Sequence, residues 1–268
     1  MTGDLLALAC TAATEAGELL AGQHGRPVVV GTKSSPTDVV TEMDQAAERL
    51  IRARIRAQRP GDAILGEEGG ETGAGSLVRW VVDPLDGTVN YLYGLPDWAV
   101  SIAAEVDGQI VAGVVCAPRR GEVFGAELGQ GAWRSSWPGS SRETITCNDG
   151  VPLSRALIAT GFGYEPRRRA VQGEVLSIVL PRVRDIRRNG ACSVDLCLLA
   201  SGHVDGYYER GVNYWDIAAG GLIAREAGAI VGGLDGKAAG PSMTIAAGPV
   251  LFGELHDLLL STDPERDA

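Results

Sequence analysis

The segment "WVVDPLDGTVNY", Trp80 to Tyr91, runs strand-like residues into two carboxylates, Asp83 and Asp86. Read alone, "DPLDG" is a turn, because Asp, Pro and Gly all favour turns. Its details also suit a ligand. Pro84 holds Asp83 extended, so the strand presents Asp83 at its very end. Gly87 lets the backbone approach a ligand closely, and Asp86 can swing back beside Asp83. Two carboxylates that close repel each other unless a cation sits between them.

Two further segments place acids similarly. "GEEGG" from Gly66 brings Glu67 and Glu68 to a strand end, which alone reads as a solvated loop. "WDIAAGG" sets Asp216 at a helix start, where a lone aspartate reads as an N-cap. Strand ends and helix starts are where open α/β sheets assemble their sites. Carboxylates without His or Cys are hard oxygen ligands that select Mg²⁺ over zinc. If "GTVNY" begins a helical turn, the N–H groups of Gly87 and Thr88 point at a phosphate oxygen, and the Thr88 hydroxyl can orient a water. A metal, a phosphate cradle and a positioned water together point to phosphate-ester hydrolysis by in-line attack.

The elements that must position these groups follow from periodicity. "MTGDLLALACTAATEAGELL" carries Glu15 and Glu18 at helical spacing and reads as an amphipathic helix, not a signal peptide. "TEMDQAAERLIRARIRAQ" is a second helix, stopped by Pro60-Gly61. "DAILGEE" and "LVRWVVD" read as strands. Trp98 to Phe124 reads as an antiparallel meander with turns at Asp107-Gly108 and Arg120-Gly121, which a helix layer must cover and which would suit a subunit interface. "SSWPGSS", Ser135 to Ser141, is a loop, and a boundary between two halves falls near Gly150. Beyond it, "RALIATGF", "VRDIRR", "ACSVDLCLLASG", "VDGYYE", "WDIAAGGLIAREAG" and "AIVGG" alternate strand and helix signals, an α/β rhythm.

Composition narrows the function classes. The 268 residues include 24 basic and 34 acidic side chains, a formal charge of -10 that argues against a nonspecific nucleic-acid surface. Five cysteines, with no Cys-x-x-Cys pair, argue against a disulfide framework or zinc site. No apolar run approaches a membrane span of roughly 20 residues, so the expectation is a soluble cytoplasmic protein. "GTKSS" around Lys33 lacks the spacing of a nucleotide loop. His24, His203 and His256 are scattered and unmatched with a nucleophile.

Taken together, "KSSPTDVVTEMD", "GEEGG", "WVVDPLDGTVNY", "RRNGACSVDLCLLASGHVDGYYE" and "WDIAAGGLIAREAG" resemble the inositol monophosphatase family, in the family's order, from Lys33 to about Ala247. The resemblance implies a single domain, 1–268, folded as the alternating α-β-α-β-α sandwich shared with fructose-1,6-bisphosphatases. Its N-terminal half, about 1–150, would carry the metal and phosphate loops; about 151–262 would carry the substrate side and the last ligand. It implies a Mg²⁺-dependent phosphomonoesterase, with two or three Mg²⁺ per site, acting on myo-inositol 1-phosphate or a related polyol phosphate. Glu67, Asp83 and the Leu85 carbonyl would hold one Mg²⁺; Asp83, Asp86 and Asp216 a second. Asp44 would accept a hydrogen bond from Thr88, which with Glu67 serves the attacking water. Gly87 and Thr88 would bind phosphate. Asp86, Arg187, Gly190, Ala191, Glu209 and Asp216 would face the substrate, with Lys33 and Glu68 as accessories.

Two departures concern the substrate: Gly190-Ala191-Cys192 replaces Gly-Ser/Thr-Ala, and "SSWPGSS" replaces an expected hairpin. Histidinol phosphate, fructose 1,6-bisphosphate and a 3'-phosphonucleotide are the alternative substrates. A regulatory binding partner retaining the fold is the alternative class. The resemblance further implies a homodimer and lithium sensitivity.

Overall fold

The computed structural model describes residues 2–23, 27–73, 75–139 and 141–266. His24, Ser140 of "SSWPGSS" and the last two residues of the tail lie outside them. Helix α1 (Thr2–Ala21) is followed by a hairpin of β1 (Val29–Thr32) and β2 (Val39–Thr41), then helix α2 (Glu42–Gln58). Next come β3 (Ala63–Gly66), β4 (Gly70–Thr72), β5 (Val78–Asp86) and the short helix α3 (Thr88–Tyr93). The meander β6 (Ala99–Val106), β7 (Gln109–Ala117), β8 (Glu122–Glu127), β9 (Ala132–Ser136) and β10 (Arg142–Ile145) completes an eight-stranded sheet in the order β10-β9-β8-β7-β6-β5-β3-β4.

The remaining chain contributes β11 (Leu157–Thr160), α4 (Pro166–Val179), β12 (Asp185–Arg187), α5 (Cys192–Ala200), β13 (Gly206–Glu209), α6 (Tyr214–Glu226), β14 (Ile230–Gly232), β15 (Thr244–Ala247) and α7 (Pro249–Leu260). Its five strands form a second sheet, β12-β11-β13-β15-β14. The layers alternate: α1 and α2, the large sheet, α5 and α6, the small sheet, then α4 and α7.

Three apolar clusters fill the spaces between layers. The first unites α1 (Leu8, Ala12, Ala16) and α2 (Ala47, Ile51, Ile55) with Trp80, Val82 and Ile102 of the large sheet. The second joins the opposite face of that sheet (Val81, Ala103, Val115) to Leu196, Leu199, Leu222 and Ile223 of α5 and α6. The third packs Ile158, Tyr208 and Ile245 against Val175, Val179 and Leu255 of the outer helices. The two-residue period of a strand explains the division along β5: Trp80 and Val82 face α1 and α2, while Val81 and Asp83 face α6.

Three sequence expectations are corrected here. Strand β5 does not stop at Asp83. It continues through Pro84 to Asp86, with an irregularity where Asp83 pairs with Ser101 and Asp86 with Ala99. This local change of register lets two carboxylates three residues apart serve one site. The hairpin thought to be missing after Trp133 is present: β9 and β10 pair antiparallel, Ser135 opposite Arg142, and "SSWPGSS" supplies the end of β9 and the connection. Finally, the β6–β7 meander cannot present its faces to a second subunit, because α1 covers one and α6 the other.

Ile51, fully buried between α2 and the large sheet, offers a direct test of this packing. Ile51→Ala is expected to lower unfolding free energy by about 3 kcal/mol, measured by urea denaturation with the slope unchanged.

Candidate active site

Five acidic side chains from four elements converge around the end of β5: Glu67 after β3, Asp83 and Asp86 on β5, Asp44 on α2 and Asp216 on α6. Asp83 is 1% exposed, whereas Asp86 and Asp216 are partly open to solvent. Burial raises the Asp83 carboxyl well above the usual range, and the charges of Glu67, Asp86 and Asp216 push the same way. Asp216 is likewise raised well above its ordinary value, first by burial, then by Asp86 and Glu67. Each anion therefore disfavours its neighbours, the condition that a bound cation relieves.

Helix capping gives two of the acids their orientation. Asp44 is the third helical residue of α2: its Oδ2 accepts from the Thr41 backbone N–H at 2.8 Å and hydroxyl at 2.5 Å. Its other oxygen, Oδ1, stands 2.9 Å from Thr88 Oγ1. Asp216 does the same in α6. The N-cap there is Asn213, not Asp216; the Asp216 Oδ2 accepts from the Asn213 N–H at 2.6 Å. In each case the reciprocal half of a capping box uses one carboxylate oxygen and leaves the other for chemistry.

Thr88 opens α3 after Gly87, whose φ of 86° requires glycine and whose Cβ, if present, would lie 2.8 Å from the Asp97 carbonyl. The Thr88 hydroxyl has two acceptors in reach, Asp44 Oδ1 and the Leu85 carbonyl at 3.1 Å. It carries one proton. If the Leu85 carbonyl binds a cation, that proton belongs to Asp44 and the hydroxyl lone pairs are left to accept from a water.

Lys33, in the β1–β2 connection, places its ammonium 2.8 Å from Glu67 and 2.6 Å from Glu68. Burial pulls the Lys33 pKa down, but the two carboxylates outweigh it and hold the group above its ordinary value. Glu67 is raised by burial and lowered by Lys33.

On the substrate side, Glu209 ends β13 with Oε2 accepting from Tyr207 Oη at 2.9 Å. Burial lifts its pKa to about 7, against the Tyr207 hydrogen bond and the charge of Arg188. Gly161 makes room for it: a Cβ there would fall 2.0 Å from Glu209 Oε2. Ala191 is buried beside Gly87, and Gly190 has a φ of 93°.

Arg187 is not brought to this group. Its side chain is 48% exposed and paired with Asp185 at 2.7 Å. Arg188, also exposed, is the one that leans over this group: its Nη1 is so near Gly190 that a Cβ there would approach to 2.3 Å, and its charge acts on Glu209. Sequence reasoning also missed Ser193, whose N–H (2.7 Å) and Oγ (2.5 Å) both donate to Asp86 Oδ2. It missed Asn90, whose buried amide donates to the carbonyls of Asp97 (2.5 Å) and Asn189 (2.7 Å) and ties α3 to the segment before α5. The usable signal for both was a polar residue inside an otherwise apolar helical turn.

Among the described residues, no three His, Cys, Asp or Glu side chains are arranged to hold a metal ion as they stand. Each expected ligand is instead turned to a protein donor: Glu67 to Lys33, Asp83 to the Leu85 N–H, Asp86 to Ser193 and Asp216 to Asn213. The donor set nevertheless fits a hard divalent cation, being all oxygen and mutually repulsive.

A profile of the inositol monophosphatase family matches residues 2–265. The chain is 48% identical over 232 residues, 84% of its own length and 79% of the relative's, to the inositol-1-monophosphatase SuhB of Mycobacterium tuberculosis. It is 39% identical over 235 residues, 87% and 86% of the two chains, to a protein of Escherichia coli described as Nus factor SuhB. Among solved structures, Mycobacterium tuberculosis SuhB superposes with a TM-score of 0.83 at 42% identity over 98% of both chains. The Thermotoga maritima IMPase gives 0.86 at 30% identity, covering 97% of this chain and 98% of the other.

The half-buried Glu209 yields a prediction with a definite sign. A carboxyl held at about 7 in the folded chain and about 4.3 in the unfolded one binds its proton more tightly when folded. Its stabilisation is fully present below the unfolded value and is lost as pH rises through 7. In EDTA, the melting temperature of the wild type should therefore fall relative to Glu209→Gln between pH about 4.5 and about 7.5. A constant difference across that window would show that Glu209 does not titrate there.

Proposed function

The chain belongs to the inositol monophosphatase family, and on that premise we propose that it is a Mg²⁺-dependent phosphomonoesterase acting on myo-inositol 1-phosphate or a closely related polyol phosphate. The observation that carries this reading is the convergence of Glu67, Asp83, Asp86 and Asp216, whose carboxyls disfavour one another's ionisation. Glu67, Asp83 and the Leu85 carbonyl would hold one Mg²⁺, and Asp83, Asp86 and Asp216 a second. When bound, such ions neutralise phosphate charge, acidify a coordinated water and stabilise the leaving alkoxide.

The chain's own groups supply the rest. Asp44 fixes the Thr88 hydroxyl as a donor toward itself, so Thr88 accepts from the attacking water and sets its direction. Glu67, whose charge is felt by Asp83, would serve the same water. The Thr88 N–H, at the start of α3, faces a phosphate oxygen, while the Gly87 N–H supports the Asp86 carboxylate. Glu209 accepts from a ring hydroxyl of the substrate, and Arg188 replaces Arg187 as the arginine beside it. No acid side chain for the leaving oxygen is called for among these residues, since a cation held by Asp83, Asp86 and Asp216 would supply that stabilisation.

Histidinol phosphate and fructose 1,6-bisphosphate are the competing esters; the loss of a hydroxyl at Ala191 leaves the choice to experiment. The name Nus factor, carried by relatives from Escherichia coli and Pasteurella multocida, favours a second reading in which the same fold binds transcription machinery. A cytoplasmic homodimer that is inhibited by Li⁺ completes the proposal.

The test is phosphate release from inositol 1-phosphate, histidinol phosphate and fructose 1,6-bisphosphate, each with Mg²⁺ and with EDTA. Turnover is expected only with Mg²⁺, and fastest on the inositol ester. Thr88→Ala should lower kcat by about 10²-fold, as expected for loss of a water-orienting group, and Asp86→Asn should abolish turnover while leaving any binding to transcription factors intact. A folded, Mg²⁺-treated protein that releases phosphate from none of these esters would move the second reading to the front.

A further inference from the structure

Helix α2 carries a polar row beside its apolar stripe. Met43, Ala47, Ile51 and Ile55 are buried against the sheet. One residue further round lie Asp44, Glu48 and Arg52, spaced by four and therefore stacked along one face. The capping and Thr88 contacts account for Asp44. They do not account for Glu48, which is 3% exposed, a depth that a carboxylate tolerates only with full hydrogen bonding.

Glu48 has those partners, and all but one are backbone groups of a single turn. Its Oε2 accepts from the Glu68 N–H at 2.8 Å, and its Oε1 from the Gly69 N–H at 2.9 Å and from Arg52 Nε at 2.7 Å. Arg52 holds the far side of the same turn, donating to the Gly70 carbonyl at 2.6 Å and to Thr72 Oγ1 at 3.0 Å. The glycines are shaped to this grip: a Cβ on Gly66 would stand 2.5 Å from Glu48 Oε1, and one on Gly69 would stand 2.6 Å from it.

A turn at the surface satisfies its N–H groups with water and needs no buried ion pair beneath it. This turn carries Glu67. We propose that Glu48, supported by Arg52, is a positioning residue: it fixes the backbone from which Glu67 reaches toward Asp83, and so sets the protein's affinity for Mg²⁺ without touching the ion. The inference rests on the reading of the carboxylate group as a metal site. One face of α2 then controls two parts of that site, Thr88 through Asp44 and Glu67 through Glu48.

Glu48→Gln tests it, since the amide keeps the shape but replaces one acceptor oxygen by an NH₂ that cannot accept from a backbone N–H. The readouts are Mg²⁺ titration calorimetry on the metal-free protein, circular dichroism with thermal melting, and the Mg²⁺ dependence of phosphate release. Mg²⁺ affinity should fall about tenfold, as for loss of a partner that orients a ligand. The secondary structure should be retained, and excess Mg²⁺ should restore kcat to within about twofold. Arg52→Gln should shift affinity in the same direction by about threefold, and decides the matter if Glu48→Gln does not fold. A folded variant with wild-type Mg²⁺ affinity and only a lower melting temperature overturns the inference. A wild type that binds no Mg²⁺ instead overturns the reading on which it rests.

Discussion

Mutual repulsion among clustered carboxylates is the constraint around which the rest of this molecule is arranged. Glu67, Asp83, Asp86 and Asp216 come from three separate stretches of chain, and each makes the ionisation of the others harder. Apolar burial cannot hold such a group together, because it opposes charge rather than favouring it. The stabilisation comes from around the edge: a lysine against Glu67, two donors from Ser193 on Asp86, and backbone N–H groups on Asp83 and Asp216. The layered fold provides the rigid frame that makes this arrangement affordable, with Ser101 opposite Asp83 in the sheet and near the Trp215 carbonyl of α6.

Much of the scaffold is legible from periodicity alone. The apolar stripe of α2, the turns at Asp107-Gly108 and Gly121, and the strand–helix alternation after Gly150 all have counterparts in the structure. The dipeptide turns are legible because positive φ is demanded there, at Asp107 (51°) and Gly108 (79°). The extension of β5 past Pro84 was not legible, since proline argues against a strand interior and only the pairing with β6 shows that the ladder resumes at Asp86.

Within the site, the carboxylates themselves stand out in the sequence, but their partners do not. Asp216 reads as a cap because capping and ligation call for the same residue at the same place, and the structure shows the capping half, with Oδ2 on the Asn213 N–H. Arg187 and Arg188 differ by a single position. At the edge of β12 that difference decides the face: Arg187 lies on the side of Asp185, two residues back, and pairs with it, while its neighbour turns toward Gly190. Ser193 and Glu48 act across 107 and 20 residues of chain. No local pattern encodes contacts of that range.

Lys33 gives the site an unusual electrical property. With its ammonium between Glu67 and Glu68, the protein carries its own exchangeable counter-ion on a short hairpin connection. On the proposed reading, loading a divalent ion onto Glu67 would be an exchange, in which a tethered monovalent charge leaves as a free divalent one arrives. The tether makes the lysine's local concentration independent of the solution, so Glu67 and Glu68 keep a positive partner whatever the ionic content of the medium.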